Sequence, residues 1–61
     1  MPKILKLLFE LSSRVEAALM AAAIAHSIAE VAPKKAMDYD SIFEEHMAKI
    51  SEIIIKIGAE P

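Results

Sequence analysis

Ala32-Pro33-Lys34-Lys35-Ala36-Met37-Asp38 (residues 32–38) divides the chain into two apolar, periodic halves, and the fold depends on how this stretch is read. A proline biases the residue before it away from helix. Two lysines just past a helix C-terminus complement its partial negative charge. The stretch therefore reads as the stop of one helix and the link to another. Upstream, no Pro or Gly intervenes between Lys3 and Val31, and Pro2 suits a first helical position. The sequence predicts a first helix over residues 3–31. Downstream, Ser41-Ile42-Phe43-Glu44 matches a capping box, with Asp38 and Asp40 as competing N-caps. Gly58 suits the position after a helix end, so the second helix is expected over residues 39–57. A link of six or seven residues joins neighbouring antiparallel helices. The expectation is all-α: a single helical-hairpin domain over residues 1–61.

Composition agrees with that reading. Of 61 residues, 56% are hydrophobic, eleven are alanine and one is glycine. Such a chain favours helix throughout. Chains this short bury little surface and usually need a staple. With no cysteine the staple is not a disulfide, and thiolate metal sites and thiol redox chemistry are excluded too. Another chain is the remaining candidate. Seven Lys+Arg stand against nine Asp+Glu, a formal net charge of −2. That balance is unlike the footprint of a nucleic-acid binder. Charged residues from Lys3 to Glu16 interrupt any signal-peptide pattern, and the longest uncharged run, Ala17–Ala29, would span only ~20 Å. No transmembrane segment is expected, and the location expected from these features is cytoplasmic.

Periodicity gives the expected faces. In the first helix, Ile4, Leu8, Leu11, Val15, Ala18, Ala22, Ala25 and Ala29 alternate spacings of four and three, a seam of period 3.5. In the second, Tyr39, Phe43, His46, Ile50, Ile53 and Ile57 follow the same rule. The expected hairpin core is Ala18, Ala22 and Ala25 against Phe43, His46, Ile50, Ile53 and Ile57. Alanines let a facing backbone come close, and the bulky second-helix residues would fill against them.

Two further arguments predict self-association. A first helix of about 29 residues runs ~43 Å, whereas a second of 18–20 runs only ~27–30 Å. The segment from Ile4 to Leu11 would then overhang with no partner in its own chain. The polar stripe of Lys3, Lys6, Glu10, Ser13 and Arg14 also turns apolar toward the C-terminus, at Met20, Ile24 and Ile28. A helix apolar on two sides needs more than one partner. The expected oligomer interface is Ile4, Leu5, Leu8, Leu11, Val15, Met20, Ile24 and Ile28. The simplest closure is a two-fold homodimer forming a four-helix bundle, with a higher oligomer or a different protein partner as the other ways to cover the same faces.

Candidate chemistry is sparse. His46 on the seam reads as a core histidine bonded to a carbonyl, a serine or a glutamate across the bundle. A metal-binding alternative gathers His26, Glu30 and His46 around zinc or iron, if a tight turn brings residue 26 near residues 44–46. The Glu-x-x-His pattern of di-iron bundles is missing, since Phe43 and Ala23 precede the two histidines by three. No phosphate loop, nucleophile elbow or H-E-x-x-H motif occurs. Neither an enzyme nor a bound cofactor is expected. A small nucleic-acid-binding dimer is the third reading, resting on Lys3, Lys6 and Arg14 at one end and Lys34 and Lys35 at the other, without aromatic residues to stack bases.

Overall fold

The structure, a computed structural model, describes residues 2–61 and contains two helices, α1 (Lys3–Ile28) and α2 (Pro33–Ala59), packed against each other. No strand occurs among the described residues. The hairpin measures 48 × 16 × 10 Å, a flat rod.

Pro33 begins a helix and does not merely end one. It occupies the first position of α2, where a missing N–H costs nothing and its fixed φ is already helical. Ala32, at φ −143° and ψ 67°, lies outside the helical region immediately before α2. Its N–H donates to the Ile28 carbonyl at 2.7 Å, and its carbonyl accepts from the Ala36 N–H at 2.9 Å. The link is therefore Ala29–Ala32, shorter than the expected 32–38, and α1 ends at Ile28, three residues before the expected Val31.

The expected caps of α2 change roles accordingly. Asp38 and Asp40 lie inside the helix. The Ser41 hydroxyl donates back to the Met37 carbonyl at 3.2 Å, the arrangement of a mid-helix serine and not of a cap. Gly58 also stays helical, and the Glu60 N–H closes the end on the Ile57 carbonyl at 3.2 Å. At the other end Pro2 precedes the helix instead of opening it, and its carbonyl accepts from the Lys6 N–H at 3.2 Å.

Helices of 26 and 27 residues leave no overhang. The open end of the hairpin is bridged by Lys3 Nζ and Glu60 Oε1 at 3.3 Å, and Leu7 is only 6% exposed. The length argument for association is thereby corrected, because residues 33–38 add nearly two turns to α2.

The core follows two seams. On α1, Leu7, Leu11, Arg14, Ala18, Ala21, Ala25 and Ile28 are buried or half-buried; on α2, so are Ala36, Tyr39, Phe43, His46, Ile50, Ile53 and Ile57. Both series alternate spacings of three and four. The α1 seam shares Leu11, Ala18 and Ala25 with the expected one but turns elsewhere to the neighbouring positions. Ile4, Leu8 and Val15 stay 43%, 45% and 40% exposed. The cause is an apolar arc on α1 wide enough to hold two adjacent seams of the same period.

Around the turn the buried set is all alanine: Ala18, Ala21, Ala25 and Ala36. Added volume there forces the backbones apart, which costs about 1–3 kcal/mol. Ala21→Leu should destabilise the hairpin by that amount in urea or thermal melts, whereas Ala48→Leu, at an exposed position of α2, should leave the melt within experimental error.

Candidate self-association surface

The two broad faces of the hairpin can be followed from its grooves by heptad steps, which keep residues on one side of a helix in a bundle. One face carries grooves lined by Lys3, Lys6, Glu10, Lys56 and Glu60, and by Glu10, Ser13, Ala17 and His46. Stepping by seven from Ser13 and Ala17 reaches Met20 and Ile24; stepping back from Lys56 reaches Lys49 and Ile42. This first face is charged toward the open end, and near the turn Met20, Ile24 and Ile42 stand beside Lys35 and Asp38. The opposite face has a groove lined by Ala22 and His26 of α1 and Ala29 of the link, with Asp40 and Phe43 of α2. Stepping back from Ala22 reaches Val15 and Leu8, and from His26 reaches Leu19, Ser12 and Leu5. Stepping forward from Asp40 reaches Met47 and Ile54. This second face is apolar and uncharged over its whole open half.

The large aliphatic side chains on the second face are substantially exposed. Leu5, Leu8 and Val15 leave about two-fifths of their surface in water, and Leu19 leaves 65%. Met47 and Ile54 of α2 are exposed beside them. The expected interface residues thus divide. Ile4, Leu5, Leu8 and Val15 stand on the second face; Met20 and Ile24 stand on the first. Leu11 is half-buried in the hairpin seam, and Ile28 is half-buried at its turn end. Leu19, Met47 and Ile54 extend the surface beyond the residues read from sequence. Their signal was available as the 3-4 spacing of Leu5, Leu8, Ser12, Val15, Leu19 and Ala22, a second seam beside the first.

Among the expected core residues, Ala18, Ala25, Ile50 and Ile53 are buried, while Ala22, Phe43, His46 and Ile57 are half-buried. His46 has a partner that the sequence reading did not assign to it. Arg14 Nη1 donates to His46 Nδ1 at 3.2 Å across the seam. Arginine has no acceptor, so the contact requires the tautomer with Nδ1 unprotonated and the ring proton on Nε2. The contact connects α1 and α2 near mid-length and gives both half-buried polar groups a partner.

The same register separates the expected metal ligands. His26 lies toward the turn, on the groove with Asp40, whereas His46 faces Arg14. Glu30 falls in the turn after α1, so it does not share a helix face with His26. Among the described residues no three His, Cys, Asp or Glu gather as a metal site. The early start of α2 is the reason: residue 26 meets residues 36–40 rather than 44–46. Among the described residues, too, no helix is long and apolar enough to cross a membrane. The chain matches no family model, no curated protein and no solved structure.

The Arg14–His46 contact is testable as a pair. Removing one partner leaves the other under-satisfied, at a cost of about 1 kcal/mol or more, while replacing both by apolar groups is near neutral. His46→Leu alone should lower stability by roughly 1 kcal/mol in denaturant melts. Adding Arg14→Leu should restore it to the wild-type level or above. Additive losses in the double variant would mean that the contact contributes nothing.

Proposed function

We propose that the protein is a non-enzymatic, self-associating helical module whose role is oligomerisation or protein–protein interaction, and that its basic unit is a two-fold dimer of hairpins forming a four-helix bundle. The observation that carries this reading is the area left uncovered. The chain exposes 4782 Å², whereas a compact monomer of 6.7 kDa exposes about 3,900 Å². The surplus of roughly 900 Å² is close to the ~800 Å² that each partner contributes to a standard protein interface.

The residues that supply the surplus favour the same reading. Large aliphatic side chains scattered singly over a surface are ordinary. Here Leu5, Leu8, Val15 and Leu19 fall on one stripe, and Met47 and Ile54 lie on the same face of the hairpin. Contiguous apolar surface on a small chain marks an interaction site. Burying each such side chain is worth about 1.5–3 kcal/mol. A single bundle interface covers several of them at once.

Sedimentation equilibrium over a micromolar concentration series tests the proposal. The wild-type chain should give the mass of two chains, and Leu8→Asp should shift the equilibrium at least tenfold toward one chain. The substitution Lys34→Asp, at an exposed residue of the turn end, should leave the mass unchanged. A fully helical single chain at every concentration would overturn the reading.

A further inference from the structure

We propose that the second copy covers the second face with its own second face, the turn of each chain lying over the open end of the other, so that α1 packs on α1 about a two-fold axis beside Val15. This rests on the self-association reading above and adds the face and the direction.

The choice of face follows from where the helices place their uncovered residues. In a four-helix bundle each helix meets two neighbours, on seams about a quarter-turn apart. On α1 the stripe of Leu5, Leu8, Val15 and Leu19 stands about a quarter-turn from the seam of Leu7, Ala18 and Ala25, given 100° per residue. On α2, Met47 and Ile54 flank the seam of Ile50 and Ile53 toward the same side. Both helices therefore present their second seam in one direction. The first face offers no such match, because Lys6, Glu10, Lys49 and Lys56 occupy its open half.

The occupant follows from area and charge. The uncovered surplus is of the order of one half of a standard interface, an area that a single partner of similar size can cover. The open half of the second face carries no charged side chain, so it calls for a largely apolar partner surface. The second face of another copy supplies one, its open half uncharged and its turn half holding Ala22 and Phe43 beside Asp40 and His26.

The direction follows from side-chain volume. Two identical faces stack about a two-fold axis lying in their plane. An axis along the helices puts the turns at the same end; an axis across the helices puts them at opposite ends. Bundle-facing positions on α1 are large from Ile4 through Leu8 and Val15 to Leu19; beyond it come Ala22 and His26, with Ala29 in the link. On α2 the order is Ala36, Asp40 and Phe43 near the turn, then Met47, Ile54 and Ile57 near the open end. The aliphatic volume of the second face thus tapers toward the turn, as a wedge does. Wedges stacked the same way would crowd one end and leave the other hollow, whereas a close-packed interface needs volume that is even along its length. Opposite stacking sets Leu8 over Ala22 and Ser12 over Leu19, with Val15 meeting its own copy on the axis. It also sets Asp40 over Ser51, a donor for its carboxylate, and keeps the Lys34–Lys35 pairs of the two chains apart.

A nitroxide attached to Lys34→Cys, at an exposed site of the turn end, reads the direction by electron–electron distance measurement. The expected separation is about 35 Å, from the rise along α2 between Lys34 and the axis, doubled. Val15→Cys should in addition oxidise to a covalent dimer with unchanged helicity, because residues on the axis approach within disulfide range. A single-chain mass in sedimentation overturns this proposal and the self-association reading together. A mass above two chains overturns the two-copy closure. A two-chain mass with a label distance under about 20 Å overturns the direction alone. A two-chain mass with a long distance but no Val15→Cys disulfide overturns the choice of face.

Discussion

The apolar arc of α1 is wider than a single neighbouring helix can cover, and the rest of the molecule follows from that mismatch. One helix lying in one groove buries one seam on each partner. The α2 seam fits inside that limit, with Ile50 and Ile53 buried and Lys49, Glu52 and Lys56 on its solvated back. Its one ion pair, Lys49 to Glu52 at 3.7 Å, is an ordinary surface contact worth little to stability. On α1 the covered seam takes Leu7, Ala18, Ala21 and Ala25, and large aliphatic side chains remain outside it. The buried set is small, and among the described residues no large side chain is fully enclosed. A chain that stopped at the hairpin would place much of its hydrophobic content where it stabilises nothing.

The same mismatch explains which parts of the fold were legible in the sequence. The α2 seam could be read residue by residue, because Glu45, Lys49, Glu52 and Lys56 mark its solvated back and the apolar flankers Ile42, Met47 and Ile54 form no longer 3-4 series than the seam itself. The α1 seam could be read only as one of two. Ile4-Leu8-Leu11-Val15 and Leu7-Leu11-Arg14-Ala18 have the same period, and one contains an arginine where the other contains valine. Apolar content favoured the first; the structure takes the second because Arg14 finds His46 across the seam. A polar residue with a partner can occupy a seam position that composition alone would reserve for an aliphatic one.

The turn was misread for a different reason. Proline ends a helix and begins one equally well, since the restriction it imposes falls on the residue before it. Ala32 takes a non-helical conformation, and both helices are otherwise continuous up to four residues of link. Reading Pro33 only as a stop shortened α2 by six residues. That error carried into everything that depends on register: the supposed overhang, the neighbours of His26, and the gathering of His26, Glu30 and His46. Local signals settle that two helices exist. Which residues face one another depends on the length of the link, and a shift of two turns changes every pair.

Side-chain volume along the helices carries information that helical periodicity does not. Periodicity says which face is apolar; the gradient from Leu8 and Ile54 to Ala22 and Ala36 gives that face a direction, on which the proposed pairing rests. The alanines near the turn do two things at once. Inside the hairpin they bring α1 and α2 close, which is why Ala21, Ala25 and Ala36 are buried despite their size. On the second face they leave room that large side chains from a head-to-tail neighbour can fill. The apolar residues near the turn on the first face, Met20, Ile24 and Ile42, fit the same account. They form a smaller cluster, and apolar residues in small groups are a normal part of a solvated surface. Two different neighbours for α1 would require two extended uncharged seams besides the hairpin's own, and α1 has one. Its first face is interrupted by Lys6, Glu10 and Ser13 where the second continues through Leu5, Leu8 and Val15. The surface therefore favours a closed pair over an open chain of hairpins, because a pair consumes the single seam that each copy has to offer.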